Sequence, residues 1–324
     1  MPMTLLIREQ QVVELLDIKT AISAVEEVLR DQALGKATNR PRQRVFGTAS
    51  LLHVMAGGDS RLGVYGLKTY STSKKGTRFL VLLFDSGSGD LLAMIEADKL
   101  GQMRTGAASG VATKYQARED ADTVGIIGTG WQSESQLTAV CAVRQIRQVA
   151  AYGRNPERRK SFSAKMTGQL GVDVRPAESA EEAVRGKSIV ITCTTSREPV
   201  LHGSWIEPGA HLNVAGSNFL SKAEVDVETI NRASIIAVDS IDQARIEAGD
   251  LLPAIERGVI NWEAVTELGR IVEGQVKGRA SHSDITLFKS VGIAIWDVAT
   301  ALRVYRLALE KGIGDHIELW PDKK

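Results

Sequence analysis

The chain has 324 residues, of which 43% are hydrophobic and 24% are charged, and its formal net charge is +1. This composition is ordinary for a globular protein with a sizeable core, and the length predicts two domains. The nearly balanced charge argues against a broad basic face for nucleic acid. The sequence has no apolar stretch long enough for a bilayer and no signal-peptide pattern, so we expect a cytoplasmic protein.

The two cysteines, Cys141 and Cys193, each lie inside an apolar segment. Their spacing matches neither a metal site nor a disulfide framework, which is typical of a reducing compartment. The histidines at positions 202, 211, 282 and 316 share no spacing that suggests a set of metal ligands. We therefore expect two buried thiols and no metal centre.

The first third of the chain predicts helix, then strands, then helix. Residues 11–34 show helical spacing of apolar side chains, with Asp17 near the start of a second helix. Residues 40–100 contain apolar runs separated by glycine-rich turns and predict a meandering β region. Residues 97–117 predict a helix, and the polar segment 118–122 is the predicted crossing into a second domain. Three cations lie within or beside the apolar segments: Arg44, Lys68 and Arg104.

The second domain begins with the stretch from Thr123 to Ser133. The apolar run Val124–Ile127 ends in two glycines, Gly128 and Gly130, and a helix-compatible segment follows. This order of strand, tight turn and helix suits a pyrophosphate, because the glycines permit close approach and the helix N-terminus supplies N–H groups. Further strands are predicted at 148–152, 171–175, 188–193, 211–216 and 234–239. Their alternation with helical segments predicts a doubly wound parallel sheet of the Rossmann type.

The residues at the end of the second strand of this domain indicate which dinucleotide binds. NAD-selective domains usually place an Asp or Glu there for the ribose 2′-hydroxyl, whereas an Arg accommodates a 2′-phosphate. Here Tyr152 is followed by Arg154 and Asn155, and the acidic residue is missing. The sequence therefore favours NADP(H) and leaves NAD(H) as the alternative. Arg158 and Arg159 either add to this site or form a solvated helix face.

The motifs together resemble those of the ornithine cyclodeaminase/mu-crystallin family, which includes archaeal-type alanine dehydrogenase and ketimine reductases. The resemblance runs over nearly the whole chain and rests on the order of the matching stretches. These stretches are Arg44, Gly66–Lys68, Leu83–Asp85 with Gly89, Arg104–Ala108, Gly128–Gln132, Asn213–Asn218, Glu247–Leu251 and Thr286–Gly292.

The resemblance implies an α/β fold with two domains. A Rossmann-type domain over residues 119–296 would bind the dinucleotide. A second α/β domain over residues 1–118, completed by a C-terminal helix at about 297–324, would bind substrate and form a homodimer. No nucleic acid or membrane partner is expected.

The resemblance also implies site residues, since the family's substrates are α-amino or α-imino carboxylates. Arg44, Lys68 and Arg104 would bind the carboxylate, and a desolvated Lys68 would have a lowered pKa that lets it exchange a proton with the substrate nitrogen. Thr194 and Thr195 end a central strand, where open α/β sheets bind ligands. The predicted cofactor-binding residues are Thr105, Gly128, Thr129, Gly130, Trp131, Gln132, Arg154, Asn155, Thr194, Thr195, Val214, Gly216, Ser290 and Gly292.

Asn218 departs from the pattern of the true cyclodeaminases, which carry an acid/base Asp at this position. An Asn side chain only hydrogen-bonds, and many reductase-type members have Ser-Asn here. Lys68 and Asn218 are the predicted catalytic residues, both in contact with substrate. His53 is expected to be a core histidine with its hydrogen bonds satisfied rather than a base. For Asp297, structural capping or packing is as strong an expectation as a role in the site.

The predicted function is NAD(P)H-dependent reduction of a small α-imino carboxylate, cyclic or linear, to the L-amino acid. The alternatives within enzymes are an ornithine cyclodeaminase and an alanine-type amino-acid dehydrogenase. The alternative from another class is an NADPH-binding, crystallin-like protein without significant turnover.

Overall fold

The computed structural model describes residues 3–319. These residues form two compact units, one made of the segments up to Arg104 and from Ile293 onward, the other of Thr105–Gly292. The sequence placed the boundaries at 118 and 296 instead. The polar segment 118–122 follows a helix that is continuous across the first boundary, so it marks the end of an element rather than the change of unit. Residues 320–324 of the predicted C-terminal helix lie outside the described residues.

The first unit is built on an eight-stranded sheet with the order β16-β1-β7-β6-β5-β4-β2, in which β3 also pairs with β4. Its strands are β1 (Thr4–Ile7), β2 (Ala37–Asn39), β3 (Gln43–Phe46), β4 (Ser50–Asp59), β5 (Val64–Ser73), β6 (Gly76–Asp85), β7 (Leu91–Glu96) and β16 (Asp315–Ile317). Its helices are α1 (Glu9–Leu15), α2 (Ile18–Ala33), the start of α3 (Asp98–Gln116) and α11 (Ala294–Lys311).

Local signals explain most of this unit. The Asp17 side chain accepts the Thr20 N–H at 2.7 Å and so begins α2, as predicted. Strands β4 to β7 form the predicted antiparallel meander. Successive side chains of a strand point to opposite faces, and the face of β4 and β5 that carries Met55, Lys68 and Tyr70 is buried. Lys68 pairs with Met55 in the register, and Tyr70 pairs with His53.

The second unit is built on an eight-stranded parallel sheet with the order β10-β9-β8-β11-β12-β15-β13-β14. Its strands are β8 (Thr123–Ile127), β9 (Gln148–Tyr152), β10 (Asp173–Pro176), β11 (Ile189–Thr192), β12 (His211–Val214), β13 (Ile235–Val238), β14 (Val265–Glu267) and β15 (Thr286–Lys289). Its helices are the rest of α3, α4 (Trp131–Val143), α5 (Pro156–Leu170), α6 (Ala180–Val184), α7 (Val227–Arg232), α8 (Ile241–Glu247), α9 (Leu252–Glu256) and α10 (Leu268–Val272), with 3₁₀ turns at Gly203–Trp205 and Trp262–Ala264.

This sheet confirms the predicted doubly wound α/β fold. The strand order reverses between β8 and β11, and ligands of open α/β sheets bind at such a switch point, beyond the carboxyl ends of the strands. Strands β1, β2, β14, β15 and β16 were not predicted from the sequence. No helix within residues 3–319 has the length and apolar character needed to cross a membrane.

Candidate active site

A buried cluster of three charged side chains lies in the first unit. One carboxylate oxygen, Asp297 Oδ1, is 3.0 Å from Lys68 Nζ and 2.9 Å from Arg104 Nε. The exposed fractions of the three side chains are 0% for Asp297, 2% for Lys68 and 6% for Arg104. Ion pairs this deep are not screened by water, so the cluster is electrostatically strong and sensitive to the loss of any member.

Three elements bring these side chains together. Lys68 lies on the buried face of β5, Arg104 in the second turn of α3, and Asp297 in the first turn of α11. Helix α11 thus returns the end of the chain to the N-terminal sheet and delivers the acid to the lysine. From sequence, Asp297 fits packing or capping as well as a site, and its contacts place it at the centre of the cluster.

The surroundings of Lys68 lower its pKa to about 7, chiefly because burial disfavours the charged amine and next because Arg104 is close. Asp297 opposes this shift and Arg42 adds to it. The Lys68 amine also lies 4.7 Å from the centre of the Phe79 ring. An amine with a pKa near neutrality can hold or release a proton at ordinary pH, which suits general acid–base chemistry.

Two atoms of the cluster lack hydrogen-bond partners. Arg104 Nη1 and Asp297 Oδ2 are both buried and make no hydrogen bond within the described residues. A buried guanidinium donor without an acceptor is costly. With Lys68 protonated, the three side chains carry one net positive charge. The cluster therefore suits an anionic ligand such as a carboxylate, for which Arg offers charge-assisted donors.

Arg42 lies near Lys68 and was not among the predicted site residues, which include Arg44 instead. Arg42 is buried, its Nε lies 3.3 Å from Met55 Sδ, and its charge acts on Lys68. Arg44 is partly buried on β3, opposite His53 in the register. Arg42 lies directly before β3, which begins at Gln43. The sequence predicts a strand that includes both arginines, and residues two apart on a strand share a face, so this spacing was a signal for Arg42 as well. The role of Arg44 stays a prediction.

His53 is buried and stacks on Tyr70, with ring centres 4.1 Å apart and an angle of 5° between the planes. Burial, and then the charges of Arg44 and Arg42, lower the pKa of His53 to about 4. It is therefore neutral near pH 7. This agrees with the expected core histidine in burial, although Nδ1 has no hydrogen-bond partner among the described residues.

The glycine turn of the second unit lies between β8 and α4, as the sequence predicts. Gly128 follows β8 with φ of +115°, and a Cβ there would lie 2.2 Å from the Cys193 carbonyl oxygen, so only glycine fits. Gly130 begins α4. The predicted residues Thr129, Trp131 and Gln132 lie in the same turn. The first turn of α4 thus lies at the carboxyl end of β8, where helix N-termini of this fold bind anions.

The arginines after β9 separate into two groups. Arg159 is buried, lies 2.7 Å from Glu178 and packs over the Tyr152 ring, so the interpretation of Arg159 as a solvated residue is wrong. Arg154 and Arg158 are exposed. The predicted cofactor residue Asn155 begins α5, because its side chain accepts the Arg158 N–H at 2.9 Å. Arg154 and Arg158 are therefore the two exposed arginines near this strand end, and the role of Arg154 in cofactor binding stays a prediction.

The remaining predicted residues of the second unit lie mostly at the carboxyl edge of its sheet. Thr194 and Thr195 follow β11, Val214 ends β12, and Gly216 and the half-buried Asn218 follow β12. Thr105 is different, since it lies within α3 rather than at a strand end.

Ser290 and Gly292 follow β15, and their donors have a partner, Asp239, that was not predicted from the sequence. Asp239, at the end of β13, accepts hydrogen bonds from Ser290 Oγ and from the N–H groups of Val291 and Gly292. These contacts hold the turn that leads into α11.

The cysteines are unreactive by their environment. Cys141 and Cys193 are unpaired and partly buried, and burial raises the pKa of each thiol to about 12. Across residues 3–319, no group of three His, Cys, Asp or Glu side chains is arranged to hold a metal ion.

The second unit has a doubly wound parallel sheet with a glycine turn after β8, which is a Rossmann-type fold. The first unit is an α/β unit that carries the buried cluster of Lys68, Asp297 and Arg104. Together they define a two-unit α/β protein with a Rossmann-type domain. The sequence profile of the ornithine cyclodeaminase/mu-crystallin family matches residues 3–312. The chain belongs to that family.

Two curated relatives match most of the chain. An alanine dehydrogenase of Archaeoglobus fulgidus is 35% identical over 326 residues, which cover 98% of this chain and 99% of the relative. A Δ1-pyrroline-2-carboxylate reductase of Bacillus cereus is 37% identical over 276 residues, which cover 84% of this chain and 85% of the relative.

Two solved structures share the fold over nearly the full length. The Δ1-pyrroline-2-carboxylate reductase of Thermococcus litoralis, in complex with NADH and L-proline, has a TM-score of 0.93 and 37% identity, covering 97% of this chain and 100% of that one. An archaeal alanine dehydrogenase dimer with bound NAD has a TM-score of 0.92 and 34% identity, covering 98% and 99%.

Proposed function

We propose that this protein is a nicotinamide-dinucleotide-dependent oxidoreductase that reduces a small α-imino carboxylate to the L-amino acid. The observation that carries the proposal is the buried Lys68–Asp297–Arg104 cluster, with its lowered lysine pKa and its unpartnered Arg104 donor. The names of the relatives and structural neighbours, which are imine reductases and amino-acid dehydrogenases, support it.

The residues divide the work of the reaction. Arg104 binds the substrate carboxylate through its remaining donor, and Arg42 adds positive charge on the same face. Lys68, in its ammonium form, donates a proton to the imine nitrogen. The reduced dinucleotide, when bound, supplies the hydride to the imine carbon. One hydride and one proton convert the C=N bond into an amine, and Asn218 is expected to contribute a hydrogen bond.

The test is the loss of absorbance of the reduced nicotinamide with a panel of imines. The panel contains pyrroline-2-carboxylate, piperideine-2-carboxylate, and pyruvate or glyoxylate with ammonia or methylamine. We expect oxidation with at least one cyclic or linear imine. No oxidation with any of them, together with conversion of ornithine to proline, would overturn the proposal in favour of a cyclodeaminase.

An alanine-type dehydrogenase is the second candidate, because one relative of that name matches 98% of this chain. The two candidates share the cation cluster and differ in substrate size. Comparing kcat/KM for pyruvate plus ammonia with kcat/KM for pyrroline-2-carboxylate separates them. A higher value for pyruvate plus ammonia would assign the chain to the dehydrogenase.

We also propose that the preferred cofactor is NADP(H), since Arg154 is exposed at the end of β9 and no acid follows that strand. Arg154→Asp is expected to lower kcat/KM for NADPH by about 10- to 100-fold, the value of one charge-assisted hydrogen bond, and to raise it for NADH. Arg185→Asp, at an exposed position directly after α6, is the matched control. A wild-type preference for NADH, the cofactor bound in the Thermococcus litoralis neighbour, would refute the assignment.

Finally, we propose that the protein is a homodimer that pairs through the outward face of the first sheet. Alternate positions of β4 to β7 on that face carry half-exposed or exposed apolar side chains, a pattern typical of an interaction surface. These side chains are Leu52, Val54, Leu67, Leu80, Leu82, Leu92 and Met94. The archaeal alanine dehydrogenase neighbour is a dimer.

A charge placed in this face is expected to separate the subunits, because an apolar interface leaves it without a partner. Leu82 pairs with Leu67 at the centre of the face. We expect Leu82→Glu to shift the mass measured by light scattering from dimer to monomer. Val13→Glu, at an exposed position of α1, should leave the mass unchanged. A Leu82→Glu protein of the same mass as the wild type would place the interface elsewhere.

A further inference from the structure

A second buried charge cluster lies at the carboxyl edge of the parallel sheet, and the proposed reaction does not use it. Its members are Glu224, Asp250 and Lys289, all of them buried. Burying three charges is costly unless each is paired and hydrogen-bonded. The hydrogen bonds of Glu224 connect this cluster to the ends of two strands.

The Glu224 carboxylate joins the ends of two neighbouring strands. Oε1 accepts the Thr194 N–H at 2.6 Å, and Oε2 accepts the Gly216 N–H at 2.7 Å and the Thr192 hydroxyl at 3.0 Å. Thr192 is the last residue of β11 and Thr194 follows that strand, whereas Gly216 follows β12. One side chain therefore sets the separation of two backbone segments beyond the sheet.

Asp250 and Lys289 connect Glu224 to the end of β15. The Glu224 N–H and the Val225 N–H both donate to Asp250 Oδ1. Asp250 Oδ2 lies 2.7 Å from Lys289 Nζ, and the same amine donates to the Ser217 carbonyl at 2.8 Å. Lys289 is the last residue of β15. The loop that leads from Gly216 to Asn218 is thus held from two sides.

Gly216 shows how tightly the two strand ends approach. A Cβ at this position would lie 2.3 Å from Glu224 Oε1 and 2.4 Å from the Thr194 nitrogen, so a side chain would push them apart. The residues that the carboxylate touches, Thr194 and Gly216, are also residues expected to contact the dinucleotide.

We propose that Glu224 is a positioning residue of the dinucleotide site, which fixes the spacing between the β11 and β12 strand ends. The inference rests on the proposed function, because it assumes that a dinucleotide lies along this edge. Both carboxylate oxygens must accept, since each faces an N–H donor. A glutamine of the same shape necessarily turns an NH₂ group toward one of those donors and moves one strand end.

The test is the affinity for the dinucleotide, which is measured from the change in fluorescence of NADPH or NADH on binding. Glu224→Gln is expected to weaken binding by about tenfold or more and to raise KM for the dinucleotide, while KM for the imine at saturating dinucleotide stays unchanged. A general loss of folding would not separate the two KM values. Glu228→Gln, an exposed glutamate four residues further on, is the matched control and should bind as the wild type does.

Glu224→Asp provides a second variant that keeps the charge facing Lys289 and Asp250 but shortens the side chain. The aspartate side chain is too short to bridge both strand ends, so we expect weaker dinucleotide binding in this variant as well. Wild-type affinity in either Glu224 variant would overturn the inference. If the wild-type protein itself binds neither dinucleotide, the proposed function fails instead, and the two failures are therefore distinguishable.

Discussion

Replacing Lys68 by methionine is expected to lower kcat for imine reduction by about 10²- to 10⁴-fold, the range for loss of a positioned proton donor. Methionine keeps the length of the side chain and leaves the Arg104–Asp297 pair in place. Dinucleotide binding should persist, because Lys68 belongs to the first unit and the glycine turn to the second. Single-turnover absorbance measures the rate of reduction, and a fluorescence titration with NADPH measures dinucleotide binding. Lys75→Met, in the exposed turn between β5 and β6, is the control.

The pH dependence gives the same assignment a second test. The ammonium form of Lys68 is the proton donor in reduction, and its pKa is about 7. We therefore expect kcat/KM for the imine to fall as the pH rises through neutrality, whereas amino-acid oxidation, which needs the neutral amine, rises over the same range. The Lys68→Met protein should lack this dependence. A profile of the wild type that stays flat across neutrality would contradict the role of Lys68.

The parallel sheet was predictable where each strand carries its own signal. The apolar runs that end at Ile127 and Thr192 are buried on both faces, and such strands are continuously hydrophobic. Strand β15 has no such signal, because it begins with Thr286 and ends with Lys289. Thr286 pairs with His211 and Lys289 with Asp250, so the burial of these polar ends depends on residues distant in sequence.

Some residues of the candidate site were predictable from the sequence and others were not. Lys68 and Arg104 were identified from their sequence contexts by resemblance. Asp297 was not, because its contact with Lys68 spans 229 residues of the chain and no local pattern distinguishes it from a capping residue. Arg42 was passed over for a different reason. Strand periodicity indicates which face a side chain takes, but the depth of burial that separates Arg42 from Arg44 is set by tertiary packing.

The role of Asp297 leads to the other large effect that we expect. Asp297 is the acid that both Lys68 and Arg104 contact, and its charge opposes the fall in the lysine pKa. Asp297→Asn keeps the shape of the side chain but removes the buried counter-charge that Lys68 and Arg104 face. Breaking a buried pair in this way typically costs about 3–5 kcal/mol of unfolding free energy. Urea unfolding measures that loss, and Asp315→Asn, at an exposed position of β16, is the control.

The same substitution should change the pH profile in a direction that a packing role does not predict. Without the carboxylate, the pKa of Lys68 falls below its present value, since burial and Arg104 then act unopposed. The alkaline fall in kcat/KM for the imine therefore moves to lower pH, and activity at neutral pH drops by about tenfold for each unit of the shift. If Asp297 only packs the start of α11, Asp297→Asn would lose stability but keep the wild-type profile. A profile displaced to lower pH identifies Asp297 as the residue that keeps Lys68 protonated near neutrality, and therefore able to donate its proton to the imine.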